Sequence, residues 1–165
     1  MWKEEEKFSK AHPLNSKIKD KDIFLHATSM KRFLAIQQTG FLLKNPPQKN
    51  FSISQVGVCF EKYEDGKYCG ADAKGVIDLT MNGYCQTTCR ADQSTEGVIL
   101  QAFGKDLLKI GCAIYADWNK RTPRIRNKEG KAVDVDYSSN VLSIVVDGDV
   151  PVESLTIMKK VPFKD

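Results

Sequence analysis

Apolar residues fall in short runs along this chain, and polar, turn-forming stretches separate them. Ile23-Phe24-Leu25 closes on His26 and reads as a short buried strand. Thr28 or Ser29 then caps a helix whose apolar stripe is Phe33, Leu34 and Ile36, with Gly40 as its stop. Phe41-Leu42-Leu43 is a second short run, ended by Asn45-Pro46-Pro47, where paired prolines exclude regular structure. Phe51-Ser52-Ile53-Ser54 alternates as a strand does, and Val56-Gly57-Val58-Cys59-Phe60 is another candidate.

Residues 61–75 carry Tyr63, Tyr68 and three glycines, which predicts a loop or a broken helix. Val76-Ile77-Asp78-Leu79 reads as a strand, and the polar stretch 82–95 as an irregular excursion. Residues 97–103 form a strong strand candidate. Asp106–Ile110 is a short connection, and residues 112–115 are apolar again. Residues 123–126 and 132–135 flank Asn127-Lys128-Glu129-Gly130-Lys131 as a hairpin would. Val141–Val146 is rich in β-branched residues; Asp147-Gly148-Asp149 turns it, and Leu155–Met158 closes the series. Many short strands with one clear helix argue against a doubly wound parallel sheet and predict an α+β or mostly-β domain with a split, mostly antiparallel sheet.

With 165 residues the chain suits one domain, here 22–165 behind a loose polar arm of 1–21. A 41% hydrophobic and 28% charged composition belongs to an ordinary globular protein. The charged start, Met1-Trp2-Lys3-Glu4-Glu5-Glu6-Lys7, is no secretory signal, and no apolar run approaches the ~18 residues of a membrane span. Net charge is a mild +4. Its distribution matters more: Lys120, Arg121, Arg124, Arg126, Lys128 and Lys131 crowd one segment, either a solvated hairpin or a patch that steers a phosphate-bearing partner.

Five cysteines (Cys59, Cys69, Cys85, Cys89, Cys112) without a signal sequence predict reduced thiols in the cytoplasm. Cys85 and Cys89 would need two more ligands for zinc. His12 and Cys69 are available, but paired metal spacing is absent, and buried thiols are the simpler reading. The glycines are scattered and form no phosphate-binding loop, and no GxSxG elbow exists. A Cys–His nucleophile pair could be drawn from His26 and any thiol.

What remains is an ordered set. His26-Ala27-Thr28-Ser29 is followed by Leu34, Ile36 and Gly40, then by Gly57-Val58-Cys59-Phe60 and Tyr68, and last by Asn140-Val141-Leu142 and Val150-Pro151. This order resembles the ADP-ribosyltransferase superfamily, in the diphtheria-toxin-like and poly(ADP-ribose) polymerase-like branch, over roughly residues 22–160. The resemblance implies a split sheet around an NAD cleft and transfer of ADP-ribose from NAD to a nucleic acid or protein. It implies that His26 holds the adenosine-side ribose, that the Ala27 backbone clamps the nicotinamide amide, and that Thr28 or Ser29 adds a hydroxyl. Tyr68, or failing that Tyr63, would stack on the nicotinamide ring, beside Cys59 and Phe60.

Two positions depart from the family's pattern. Cys59 stands where the stacking tyrosine would be, and Asn140 where the catalytic glutamate would be. Departing nicotinamide leaves positive charge on the ribose, which a carboxylate stabilises and an amide does not. Asp134, Asp136, Glu153 and, more remotely, Glu96 are the alternative carboxylates. These departures keep open a second expectation, an inactive member of the fold that binds a nucleotide, nucleic acid or protein. A third is a small basic nucleic-acid-binding domain with His26 in its core.

Overall fold

The computed structural model describes residues 2–44, 57–64, 67–68, 76–117, 124–126, 132–134 and 143–164. Helix α1 (Trp2–Ala11) and a single 3-10 turn (Asn15–Lys17) precede strand β1 (Ile23–Ser29). Helix α2 (Met30–Thr39) follows without a loop, then β2 (Phe41–Leu42), β3 (Val58–Glu64) and β4 (Lys67–Tyr68). Helix α3 (Val76–Asp92) leads to β5 (Glu96–Phe103), α4 (Gly104–Lys109) and β6 (Ile114–Ala116). Strands β7 (Arg124–Arg126) and β8 (Ala132–Asp134) pair with each other, and β9 (Ser143–Val146), β10 (Val150–Pro151) and β11 (Thr156–Pro162) complete the described chain.

One sheet organises the molecule, in the order β11-β5-β1-β3-β9-β6, with β4 added on β3. Every described pairing is antiparallel. The protein is thus α+β with a mostly antiparallel sheet, as its strand pattern predicts.

Strand alternation places successive side chains on opposite faces. On one face Phe24, Val58, Phe60, Val98, Leu100, Ile114, Ile144 and Val146 meet Phe33 of α2 and Leu107 of α4. On the other, Leu25, Ile99 and Val161 meet Cys85 of α3, with Ala27, Tyr63 and Tyr84 against them. The central strands are therefore apolar on both sides, which explains their unbroken hydrophobic runs.

Helix α2 begins and ends as its sequence predicts. Ser29 Oγ accepts the Arg32 backbone N–H at 3.1 Å, and Gly40 closes the helix at φ 84° while its N–H reaches the Ile36 carbonyl. Phe33 and Ile36 are buried, but Leu34 lies on the outer face.

Four expectations change. The arm 1–21 is not loose, because α1 occupies Trp2–Ala11 and the buried Leu14 and Ile18 plug the larger core. Leu14 also donates its N–H to the Ile114 carbonyl at 2.7 Å. Residues 61–64 continue β3, and Lys67–Tyr68 is a strand. The expected strand at 76–79 and excursion at 82–95 form one helix through Asp92, whose inner stripe is Tyr84, Cys85, Thr88, Cys89 and Asp92. The connection after β5 is also helical.

The contact between α3 and β5 is close. A Cβ on Gly97 would lie 2.7 Å from Cys85 Cβ and 3.0 Å from its sulfur, so glycine alone lets the helix sit there. Cys85 donates weakly to the Val98 carbonyl at 3.7 Å. Burial, and then the neighbouring Cys89, push the Cys85 thiol up to about 11. Burial also raises Cys89. Both thiols stay protonated near neutrality, and the thiolate is the reactive form. We expect iodoacetamide at pH 8 to leave Cys85 and Cys89 unmodified in the folded protein and to alkylate both in urea, as read by peptide mass mapping.

Candidate functional site

The β1–β3 ladder pairs Ile23 with Tyr63, Phe24 with Lys62 and Leu25 with Glu61, and there it stops. Past this rung β1 continues with β5 as far as Ser29 opposite Gly97. Strand β3 continues with β9 as far as Val58 opposite Val146. The two central strands part at His26, making a fork whose prongs carry Ala27, Thr28 and Ser29 on one side and Cys59 and Val58 on the other.

One side chain bridges the fork. His26 Nδ1 lies 2.7 Å from the Cys59 carbonyl oxygen. A carbonyl only accepts, so Nδ1 carries the proton and neutral His26 offers Nε2 as an acceptor. The ring leans on Phe60, with centroids 5.6 Å apart and planes at 54°. Burial pushes the imidazole below its ordinary 6.5, and the Arg32 cation adds to this against the opposing pull of the Cys59 bond. His26 is therefore neutral at pH 7.

This depression has a consequence for stability. Below about 6.5 the unfolded chain takes up a proton that folded His26 refuses, so stability is intact above that value and falls as pH drops beneath it. Urea unfolding at pH 7.5 and 5.5 should register this loss, and His26→Gln should reduce it.

Beneath the fork lies a second cluster. Asp92, at the end of α3, accepts Ser29 Oγ at 2.6 Å, Arg32 Nε at 2.9 Å and Arg32 Nη2 at 3.1 Å. The Ser29 hydroxyl proton is thus committed to Asp92, and Ser29 acts as a helix cap and a strut between α2 and α3. Thr28 is buried. The Ala27 side chain joins the smaller core, so its backbone is what the fork can present.

A third group was not anticipated. Glu61 and Ser143, opposed across β3 and β9, are both buried, and Ser143 Oγ donates to Glu61 Oε2 at 2.5 Å. Alternation places Glu61 on the same face of β3 as Cys59 and Tyr63. Asp117, whose N–H bonds the Ser143 carbonyl at 3.0 Å, is a further buried acid nearby.

The structure brings together His26, Ala27, Thr28, Ser29, Cys59 and Phe60 at the fork. Tyr63 sits at the closed end of β3, opposite both Ile23 and Tyr68. Tyr68 is on a strand rather than on a following helix. Asn140, Asp136 and Cys69 lie outside the described residues. Asp134 is on the β7–β8 ribbon opposite Arg124, Glu153 is exposed in a turn, and Glu96 opens β5.

His12 caps α1 against Phe8, its Nδ1 2.9 Å from the Phe8 carbonyl. Among the described residues no group of three or more His, Cys, Asp or Glu side chains is arranged to hold a metal ion. No described helix is long and apolar enough to cross a membrane. Comparison of the chain with protein-family models, curated proteins and solved structures finds no match in any of the three.

Proposed function

We propose that the fork binds NAD and that the protein transfers ADP-ribose from it to a macromolecular acceptor. The observation that carries this reading is the bridge from His26 to Cys59 at the point where the sheet divides. It fixes an imidazole acceptor, Nε2, beside the edge of β1 past Leu25, where the described ladder with β3 has ended.

A ribose hydroxyl can donate to Nε2. A planar carboxamide can pair with the backbone of β1 past Leu25, as a further strand would. Neutral His26 suits this role, since an imidazolium would have no acceptor to offer. Tyr63 and Tyr68, on facing strands, are the aromatic candidates for stacking, and Cys59 offers none.

The basic ribbon supports a nucleic-acid acceptor. Arg124 and Arg126 lie on β7, paired in register with Asp134 and Ala132 of β8, within the segment that also carries Lys120, Arg121, Lys128 and Lys131. A segment so rich in cations can attract a phosphate backbone.

The test is to incubate the protein with NAD labelled in its adenylate half, alone and with single-stranded DNA, RNA or total protein. Nicotinamide release with label on a macromolecule is expected. Release without transfer would reduce the reading to NAD hydrolysis. Binding without release would favour the inactive, nucleotide-binding alternative that Cys59 and Asn140 suggest.

A further inference from the structure

We propose that strand β11 is a docking edge whose occupant is an extended, acidic polypeptide segment, added to the sheet as a further strand. This stands apart from the NAD reading, because β11 lies at the margin of the sheet and the fork at its middle.

The two margins of the sheet are treated differently. At β6 the chain seals its own edge. Leu14 donates its N–H to the Ile114 carbonyl, and the Asn15 side chain accepts the Ile114 N–H at 3.0 Å and donates to the Cys112 carbonyl at 2.9 Å. At the other margin β11 pairs, among the described residues, with β5 alone. It runs for seven residues, of which only Val161 is buried. Ile157 and Met158 are each 42% exposed. A margin of this kind presents backbone N–H and C=O groups that another extended chain can take up.

Charge selects the occupant. Residues 154–164 contain Lys159, Lys160 and Lys164 and no acid. Lys159 opposes Ile99 and Lys160 opposes Val98, so by register the two lysines fall on opposite faces of the strand. An incoming strand meets a cation whichever face its acids occupy, and opposite charges paired across strands are stabilising. The exposed Ile157 and Met158 offer contact to apolar residues between those acids.

A second copy of the chain fits poorly. Two-fold pairing of β11 with itself sets Lys159 and Lys160 of one copy against those of the other, and like charges so opposed are destabilising. The register shift at Met158 also bends the strand away from a matching edge. Such devices keep like edges apart, but they leave the margin open to a strand of opposite charge.

The experiment titrates the full chain with fluorescein-labelled peptides of about eight residues, the length of a strand, alternating either glutamate or lysine with valine. Fluorescence polarisation reports affinity, and amide hydrogen exchange read by mass spectrometry reports the place of binding. The glutamate peptide should bind saturably and slow exchange within residues 156–161, and the lysine peptide should not. The double variant Lys159→Glu, Lys160→Glu should weaken the glutamate peptide by about tenfold or more and gain affinity for the lysine peptide.

No binding of the glutamate peptide would overturn the proposal, as would equal affinity for the two peptides. Unchanged exchange in β11 at saturation would place the peptide elsewhere and overturn it even if the double variant failed to fold. A wild-type dimer whose β11 amides are already protected would make a second copy the occupant instead.

Discussion

Phe60→Ala should lower folding stability by about 4 kcal/mol, the scale for deleting a fully buried phenylalanine. Phe60 is 1% exposed on the strand that joins β1 to β9, and its ring is a wall of the larger core. Truncation removes that packing and leaves a cavity between the two halves of the sheet. It also removes the surface on which the His26 ring leans at 5.6 Å. Urea titration monitored by circular dichroism gives the stability loss, and Phe60→Leu should recover more than half of it. A loss under 1 kcal/mol for Phe60→Ala would mean that this face is not packed as described.

Asp92→Ala should cost about 3 kcal/mol, which is large for a change to one polar group. Asp92 takes three hydrogen bonds from Ser29 and Arg32, and its side chain is only 7% exposed. Removing it leaves a partly buried guanidinium without this carboxylate and takes the brace from the α2 cap. The exposed Lys10–Glu6 pair on α1 provides the contrast. Glu6→Ala should change stability by less than about 0.5 kcal/mol, because water screens that pair and each chain gives up rotamer freedom to form it. Equal effects at the two positions would contradict the brace.

Much of the sheet was legible in the sequence because its strands are apolar on both faces. Ile23-Phe24-Leu25, residues 97–103 and the run ending at Val146 needed no partner to be read as strands. The cap at Ser29 and the stop at Gly40 were equally plain. Helix α3 was not, since the buried residues of its described half are Cys85, Thr88 and Cys89, small or polar residues that a hydrophobic pattern overlooks. Val76-Ile77 added a local β preference that packing against β1 and β5 overrides. Leu14 and Ile18 looked like isolated apolar residues in a polar arm, and only the folded chain gives them a core to fill.

The site divides in the same way. His26 and its strand-to-helix junction could be found from local sequence. The bond to Cys59 spans 33 positions and that from Arg32 to Asp92 spans 60, and no local pattern encodes either. Glu61 was passed over because residues 61–75 read as a loop or broken helix rather than as the end of a strand. One signal was available: Glu61 lies midway between Cys59 and Tyr63 on a strand whose other face is Val58 and Phe60. A charge so placed is buried, and a buried charge needs a reason.

The measurement that tests the central claim most directly is calorimetric titration of the folded protein with NAD, wild type beside His26→Ala. Saturable binding by the wild type, lost when the imidazole is removed from a variant that still melts cooperatively, is the result predicted for a dinucleotide held at the fork. No binding by the wild type, or equal binding by both proteins, would contradict it.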